Sequence, residues 1–321
     1  MIALPKEQLE AVIQRFGGHK GALHKAAAHH LRKSGKRSRA KLTFAAAQRF
    51  EHPKPLIHVS AAVELLHEAS VVHDDIQDRT NYRRGQSTVW RKFGSNTALL
   101  LGDHLIAGAF RCLAASECRV EVLPALIQAM AGATSRATSG QLQQLGLRTD
   151  ERQLRDQYMT LARHKTGALI ALPLQFAALL ADGDEHRAEF ARRSGEQLGL
   201  AYQILNDLQP LQNSATLASH EDIVDRVVTA PVVAVAQNSS DKDVFAQLIH
   251  CEAARQRATQ SCRIWIRQAV ALARANAAST PEAIAQVVEH FIAEYLTEPE
   301  AAALSTPTVG MPVTNALWVE A

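Results

Sequence analysis

The chain is poor both in residues that break helices and in residues that build sheets. Sixteen glycines and eleven prolines are spread over 321 residues, about 8% of the chain against about 12% in average usage. Aromatic residues make up only 5%, while alanine-rich stretches recur near residues 26–30, 43–47 and 273–278. Alanine loses no side-chain entropy in a helix, and strands prefer β-branched and aromatic residues. The balance therefore favours helix and excludes a collagen, a β-sandwich or a disordered chain. Charge of one sign is also lacking, with 35 Lys and Arg against 32 Asp and Glu. No basic block is long enough for a polyanion track, so nucleic acid is not an expected partner. The four cysteines, Cys112, Cys118, Cys251 and Cys262, show no CxxC spacing and read as reduced thiols of a cytoplasmic protein. No basic segment followed by an apolar one opens the chain, so a secretory leader is not expected. The most apolar stretch, residues 167–181, is interrupted by Pro173 and Gln175 and falls short of the ~20 residues a membrane span needs.

What is present is helical periodicity in nearly every window. Helices are expected over 6–16, 20–33, 37–50, 55–79, 95–116, 121–146, 150–181, 185–209, 222–237, 241–277 and 281–296. Gly17-Gly18, Ser34-Gly35, His52-Pro53, Gly85, Asp182-Gly183-Asp184, Gln212-Asn213-Ser214 and Ser279-Thr280-Pro281 mark the stops. No linker divides the chain before residue 297, so residues 1–296 are expected to form one all-α domain, with 297–321 an irregular tail. Several long helices carry polar residues inside apolar stretches, which suggests a bundle with inward-facing side chains around a central cavity.

The sharpest chemical signal is the run Val71-Val72-His73-Asp74-Asp75-Ile76-Gln77-Asp78. Asp74 and Asp78 are four apart and share a helix face, where like charges repel. Near a helix C-terminus they also oppose the macrodipole. A hard cation resolves both costs, and Mg2+ favours a few carboxylates completed by substrate phosphate oxygens. Basic groups surround the run: Lys36 and Arg39 before it, His67 two turns earlier, Arg83 and Arg84 after it, and Lys165 inside a later apolar helix. Arginine recognises phosphate bidentately and lysine as a point charge. Acids for a metal with this many bases imply two phosphate-bearing sites, one metal-bridged and one bound directly by cations.

Together these segments resemble the trans-isoprenyl diphosphate synthase (polyprenyl synthetase) family over residues 20–240. Gly35-Lys36-Arg37-Ser38-Arg39 is similar to the family's GKRxRP segment, with Ala40 in place of Pro. Residues 64–78 are similar to the first aspartate-rich motif and its upstream helix. Arg83-Arg84-Gly85, Gly102-Asp103 with Leu105, Gly140-Gln141 through Gln144-Leu145, Lys165-Thr166-Gly167 and Tyr202-Gln203 follow in the family's order. The resemblance implies an all-α isoprenoid synthase bundle, a homodimer, and Mg2+ as cofactor. It implies Asp74 and Asp78 as metal ligands, with Asp75 and Asp207 beside them. Asp74, Asp78, Lys165, Gln203 and Asp207 would form the catalytic set. It assigns an allylic diphosphate to Arg83, Lys165, Thr166 and Gln203, and isopentenyl diphosphate to Lys36, Arg39, His67 and Arg84. Residues four and five before Asp74 are Ser70 and Ala69, where the family sets chain length, and both are small, so a product of C20 or longer is expected.

The second aspartate-rich motif of the family reads DDxxD, whereas this chain has Asn206-Asp207-Leu208-Gln209-Pro210. Asn206 keeps an oxygen but no charge, and Pro210 offers no side-chain ligand and should end or kink its helix. The lysine that follows the motif is missing from residues 211–221. Three readings stay open: an elongating prenyltransferase, a class I terpene synthase or other prenyl-transfer enzyme on the same fold, and a diphosphate-binding subunit without full catalysis. His29, His30, His73 and the other histidines besides His67 read as surface or capping residues, and the 241–277 segment as an ordinary amphipathic helix.

Overall fold

The computed structural model describes residues 4–33, 35–47, 53–238 and 243–296. The expected tail at 297–321, the stops at Ser34 and His52, and the end of the 37–50 helix lie outside the described residues. The architecture is all-α. Its helices are α1 (Lys6–Gly17), α2 (His24–Leu31), α3 (Ser38–Ala47), α4 (Pro53–Gln77), α5 (Val89–Phe93), α6 (Ser95–Ala114), α7 (Leu123–Gly146) and α8 (Leu154–Ala162). After a π-helical turn, Arg163–Gly167, come α9 (Ala168–Asp182), α10 (Glu185–Leu208), α11 (Ser214–Leu217), α12 (Glu221–Val224), α13 (Ala230–Asn238), α14 (Val244–His250), α15 (Glu252–Ala277) and α16 (Glu282–Tyr295). Two-residue strands, β1 (Tyr82–Arg83) and β2 (Gln86–Ser87), pair antiparallel.

The chain packs as two compact units, one formed by Met1–Met130 with Phe176–Glu185, the other by Ala131–Gln175 with His186–Thr297. In the first unit α4 is the centre, packed chiefly on α6 with α1 and α3 beside it. Val59, Ala61, Ala62, Val63, Leu65 and Leu66 are all buried, so α4 is apolar nearly all round, as a central helix must be. Gly102 of α6 lets α4 come close: a Cβ there would meet the His73 ring at 2.0 Å. In the second unit α13 packs on α15 and α8, and α16 covers α15. Gly199 of α10 stacks on Gly167 of the π turn, where a Cβ would lie 2.4 Å from the Gly167 Cα.

Several elements differ from the sequence reading, each for a local reason. The expected 222–237 helix breaks between α12 and α13, where Arg226 takes a left-handed φ of 52°. The expected 241–277 helix divides at Cys251, which is extended. Asp243 caps the start of α14 through Ala246 N–H at 3.1 Å, and Arg255 Nη1 donates to the Leu248 and Ile249 carbonyls at 3.0 and 2.8 Å. Those bonds satisfy both ends of a short helix without Gly or Pro. The apolar reach is also longer than the 167–181 stretch suggested. Leu154–Asp182 and Ser95–Ala114 are both long and apolar enough to cross a membrane by length and composition. About two-thirds of the first one's apolar window is buried inside the protein, which accounts for its composition as core. Pro210 does what its ring requires: α10 ends at Leu208 and a 3₁₀ turn, Gln209–Gln212, takes over.

Candidate functional site

The first unit carries the acid-rich end of α4. Asp78 N donates to the Asp74 carbonyl at 2.8 Å, so helical spacing persists through Asp78 and both carboxylates stay on one face. Asp78 is exposed and Asp74 half-buried. Asp75 points elsewhere. It is buried and accepts from Arg83 Nε at 2.7 Å. Burial pushes its carboxyl up, and Arg83 pulls it part of the way back. The bond occupies Arg83 Nε and Asp75 Oδ1 and turns the Asp75 carboxylate toward Arg83.

Arg83 opens the β1–β2 hairpin, whose turn residues Arg84 and Gly85 both have positive φ, 52° and 67°. Such a turn suits Asn-Gly, and a bulky residue in its first position is strained. Arg84 is held there by its own side chain. Its Nη1 donates to both Glu68 oxygens, at 3.2 and 3.3 Å, and to the Lys33 carbonyl at 3.2 Å. Lys33 Nζ answers by donating to the Arg84 carbonyl at 3.0 Å. The far side of the hairpin rests on α2 through His29 Nε2 and the Ser87 carbonyl, 2.8 Å apart. His29 and His30 are thus buried structural groups, not the surface or capping residues expected, because α2 and the hairpin meet over them.

Behind the hairpin lies a buried ionic cluster. Arg37, with φ 53°, makes two bonds to Glu10, at 2.7 and 2.9 Å, and one to Glu68 at 2.7 Å. Glu68, only 1% exposed, also meets His30 Nε2 at 2.8 Å. Glu64 caps α3 by accepting from Ala40 N–H at 2.8 Å. Burial alone would raise the Glu68 carboxyl, but His30, Arg84 and Arg37 outweigh it and hold it well below the usual carboxylate range. Arg39, Arg84 and Arg37 all lie close enough to His67 to act with burial in holding its imidazole well below the usual histidine range. His67, Arg39 and Arg84 are therefore brought together, with Lys36 beside Gly35, whose Cβ would meet the Arg84 guanidinium at 2.8 Å. His67 Nδ1 and Arg84 Nε are buried without a hydrogen-bond partner among the described residues. The Arg84 N–H calls for an acceptor, which an anion's oxygens provide, and His67 Nδ1 for the same in the tautomer that carries its proton there.

The second unit holds the remaining expected residues. Lys165 and Thr166 sit in the π turn, a distortion found often at functional sites. Lys165 Nζ donates to Gln144 Oε1 at 2.8 Å, and Thr166 Oγ1 to Gln203 Oε1 at 2.5 Å. Gln203 Nε2 in turn donates to Asp207 Oδ1 at 2.7 Å. The other Asp207 oxygen accepts from Tyr158 Oη at 2.6 Å and Ala230 N–H at 2.8 Å. Asp207 is buried, and that burial pushes its carboxyl up to about 6 despite the three donors. It ties α10 to α8 and α13, and it would have to give up those bonds to ligate a metal. Of the small residues expected to set chain length, Ala69 is 1% exposed and packed. Ser70 is half-buried and donates to the His67 carbonyl at 2.8 Å.

From the sequence, Glu64, Glu68 and Tyr158 have no assigned role, His30 is expected as a surface or capping residue, and Gln144 enters only as part of the family-like segment from Gly140 to Leu145. Two glutamates four apart inside the most apolar part of α4 were a usable sign, since buried carboxylates demand partners. Among the described residues no three His, Cys, Asp or Glu side chains converge as a ready-made metal cage. Asp74 and Asp78 still fit Mg2+, whose coordination is commonly one or two carboxylates completed by phosphate and water.

An all-α fold with an acid-bearing helix end and a cluster of cations defines a protein of the isoprenoid synthase class. The polyprenyl synthetase family model matches residues 20–264, and the chain belongs to that family. It is 29% identical over 287 residues to a (2E,6E)-farnesyl diphosphate synthase of Mycobacterium bovis, covering 81% of this chain and 79% of the relative. The solved structure of a geranylgeranyl pyrophosphate synthetase from the archaeon Geoglobus acetivorans superposes with TM-score 0.75 at 26% identity, over 89% of this chain and 98% of that one. A polyprenyl synthase from Caulobacter crescentus, solved with calcium and isoprenyl diphosphate, superposes with TM-score 0.73 at 23% identity, over 90% and 94% of the two chains.

Proposed function

We propose that this chain is a Mg2+-dependent trans-prenyltransferase that joins isopentenyl diphosphate to an allylic diphosphate, acting as a cytoplasmic homodimer. The observation that carries the reading is the pairing, within one unit, of the Asp74–Asp78 carboxylates with a buried cluster whose His67 Nδ1 and Arg84 Nε lack partners. In this reading Asp74 and Asp78 hold Mg2+ and thereby grip the allylic diphosphate. Bound Mg2+ supplies Lewis-acid stabilisation of the charge that grows on that diphosphate as it leaves. Lys165, Thr166 and Gln203 orient the same group, Lys165 as a point charge. Lys36, Arg39, His67 and Arg84 fix isopentenyl diphosphate, with His67 a neutral donor in keeping with its depressed basicity. The allylic C–O bond breaks, its electron pair leaving with diphosphate. The isopentenyl double bond attacks the resulting cation, and one proton passes to the released diphosphate. No protein base is required.

The second unit supports fewer metal contacts in this reading, because Asp207 is committed and Pro210 offers no ligand. A second reading, a class I terpene synthase or other prenyl-transfer enzyme on the same fold, draws on Asn206-Asp207, which begin an NDxxSxxxE pattern, with Pro210 and Ser214 at its Ser and Glu positions. A product of C20 or longer belongs to the first reading and draws on Ser70, which is small and half-buried. Because Ala69 is already packed, Ser70→Phe is the change that should shorten the product. The test is incubation with isopentenyl diphosphate, Mg2+ and each allylic diphosphate, with products resolved by class and length. A longer prenyl diphosphate supports the first reading, a hydrocarbon or alcohol the second, and no diphosphate release refutes both. An unaltered product distribution from Ser70→Phe would place the length control elsewhere.

A further inference from the structure

Resting on the isopentenyl diphosphate site proposed above, we infer that Glu68 is its positioning residue, acting through Arg84. Arg84 occupies a left-handed turn position that an arginine does not choose for itself. Its side chain is held by the Lys33 carbonyl, at 3.2 Å, and by one carboxylate, Glu68, which is contacted by Arg84 Nη1 at 3.2 and 3.3 Å, Arg37 Nη1 at 2.7 Å and His30 Nε2 at 2.8 Å. With Nη1 spent on Glu68 and Lys33, the buried Nε edge of Arg84 is left without a partner. Glu68, with the Lys33 carbonyl, thereby fixes the orientation of the guanidinium and leaves its Nε edge unspent. It adjoins His67 in the chain, so one turn of α4 carries a ligand-facing group and the clamp for another.

Two effects of this carboxylate oppose each other. A negative charge beside Arg84 weakens the attraction for diphosphate, whereas anchoring the guanidinium lowers the cost of ordering it on binding. The geometry decides for anchoring. Glu68 has two arginines and a histidine about it, and Glu10 and Glu64 also lie against Arg37, so Glu68 does not cancel the positive field alone. Removing it frees a long side chain from a strained turn.

The sign of the Glu68→Gln effect is the test, read by calorimetric binding of isopentenyl diphosphate alone and by steady-state kinetics. The amide keeps an acceptor but loses the charge-assisted bonds, so KM for isopentenyl diphosphate should rise about tenfold. The kcat and the KM for the allylic diphosphate should stay within about twofold. In an Arg84→Ala background the same change should have no further effect, as a double-mutant cycle requires of a residue acting through its partner. Tighter isopentenyl binding in Glu68→Gln, an equal rise of both KM values, or a full effect in the Arg84→Ala background would overturn the inference. If Arg84→Ala itself leaves isopentenyl binding unchanged, the assigned site fails, and the positioning role with it. If Arg84→Ala weakens binding while Glu68→Gln does not, only the positioning role fails. Should Glu68→Gln not fold, Arg84→Lys serves instead. A lysine keeps the charge but has no second edge to present, so it should lose as much as Arg84→Ala, and retained binding would contradict the inference.

Discussion

At the end of α4 the chain keeps its helical hydrogen bonding through Asp78 and leaves two carboxylates, Asp74 and Asp78, on an accessible face. At the end of α10 the helix stops at Leu208, a 3₁₀ turn begins, and Asp207 is turned into the protein. The two ends share one feature. In each, an acid next to the start of the run is buried and paired inward, Asp75 with Arg83 and Asp207 with Tyr158, Gln203 and Ala230. The inward acid fastens the helix end, and the outward acids are the ones a ligand could approach. On α4 two remain; the matching positions, at the end of α10 and in the 3₁₀ turn, hold Asn206 and Pro210. Aspartates at the ends of two helices are thus placed differently, and burial tells them apart.

The largest effect should separate fastening from gripping. Asp207→Ala strands Tyr158 Oη, Ala230 N–H and Gln203 Nε2 in the interior, at a cost of about 3 kcal/mol in denaturant unfolding. Asp78→Ala, at an exposed position, should cost less than about 0.5 kcal/mol. Equal losses would erase the distinction.

A somewhat smaller effect concerns pH. The folded-state value for Asp207 is about 6, above the ~3.9 of an unfolded aspartate. Between those values the folded chain binds a proton that the unfolded chain does not, so stability falls as pH rises from about 4 to about 6. Relative to Asp207→Asn, which does not titrate there, wild type should lose about 2 kcal/mol across that window. A difference that stays flat with pH would mean that Asp207 is charged throughout.

The smallest effect lies at the altered positions themselves. Asn206→Asp with Pro210→Asp restores two outward carboxylates to α10, and elongation should improve a few-fold with less Mg2+ required. The gain stays small because no lysine follows in residues 211–221. Damage to the native activity would mean that this helix end serves another reaction.

Much of this was legible beforehand where a single residue forces the outcome. Pro210 ends a helix by its own geometry, and a pair of aspartates at helical spacing advertises a shared face. The fastening groups were not legible, because their partners are far along the chain. Glu68 meets Arg37 and His30, and Asp207 meets Tyr158 and Ala230. Nothing local in Arg84-Gly85 announces a two-residue hairpin either, since it is held by Glu68 and Lys33 and not by strand-forming sequence. The break at Cys251 likewise depends on capping by Asp243 and Arg255 across several residues.

The most direct test of the account is calorimetric titration of a non-ionisable allylic diphosphate analogue, with and without Mg2+, into wild type, Asp74→Ala and Asp207→Asn. If the α4 carboxylates form the grip, Asp74→Ala loses the Mg2+-dependent part of binding, a weakening of about tenfold or more, while Asp207→Asn keeps it. Mg2+ dependence that survives in Asp74→Ala, or that disappears in a folded Asp207→Asn, would contradict the division of labour between the two helix ends.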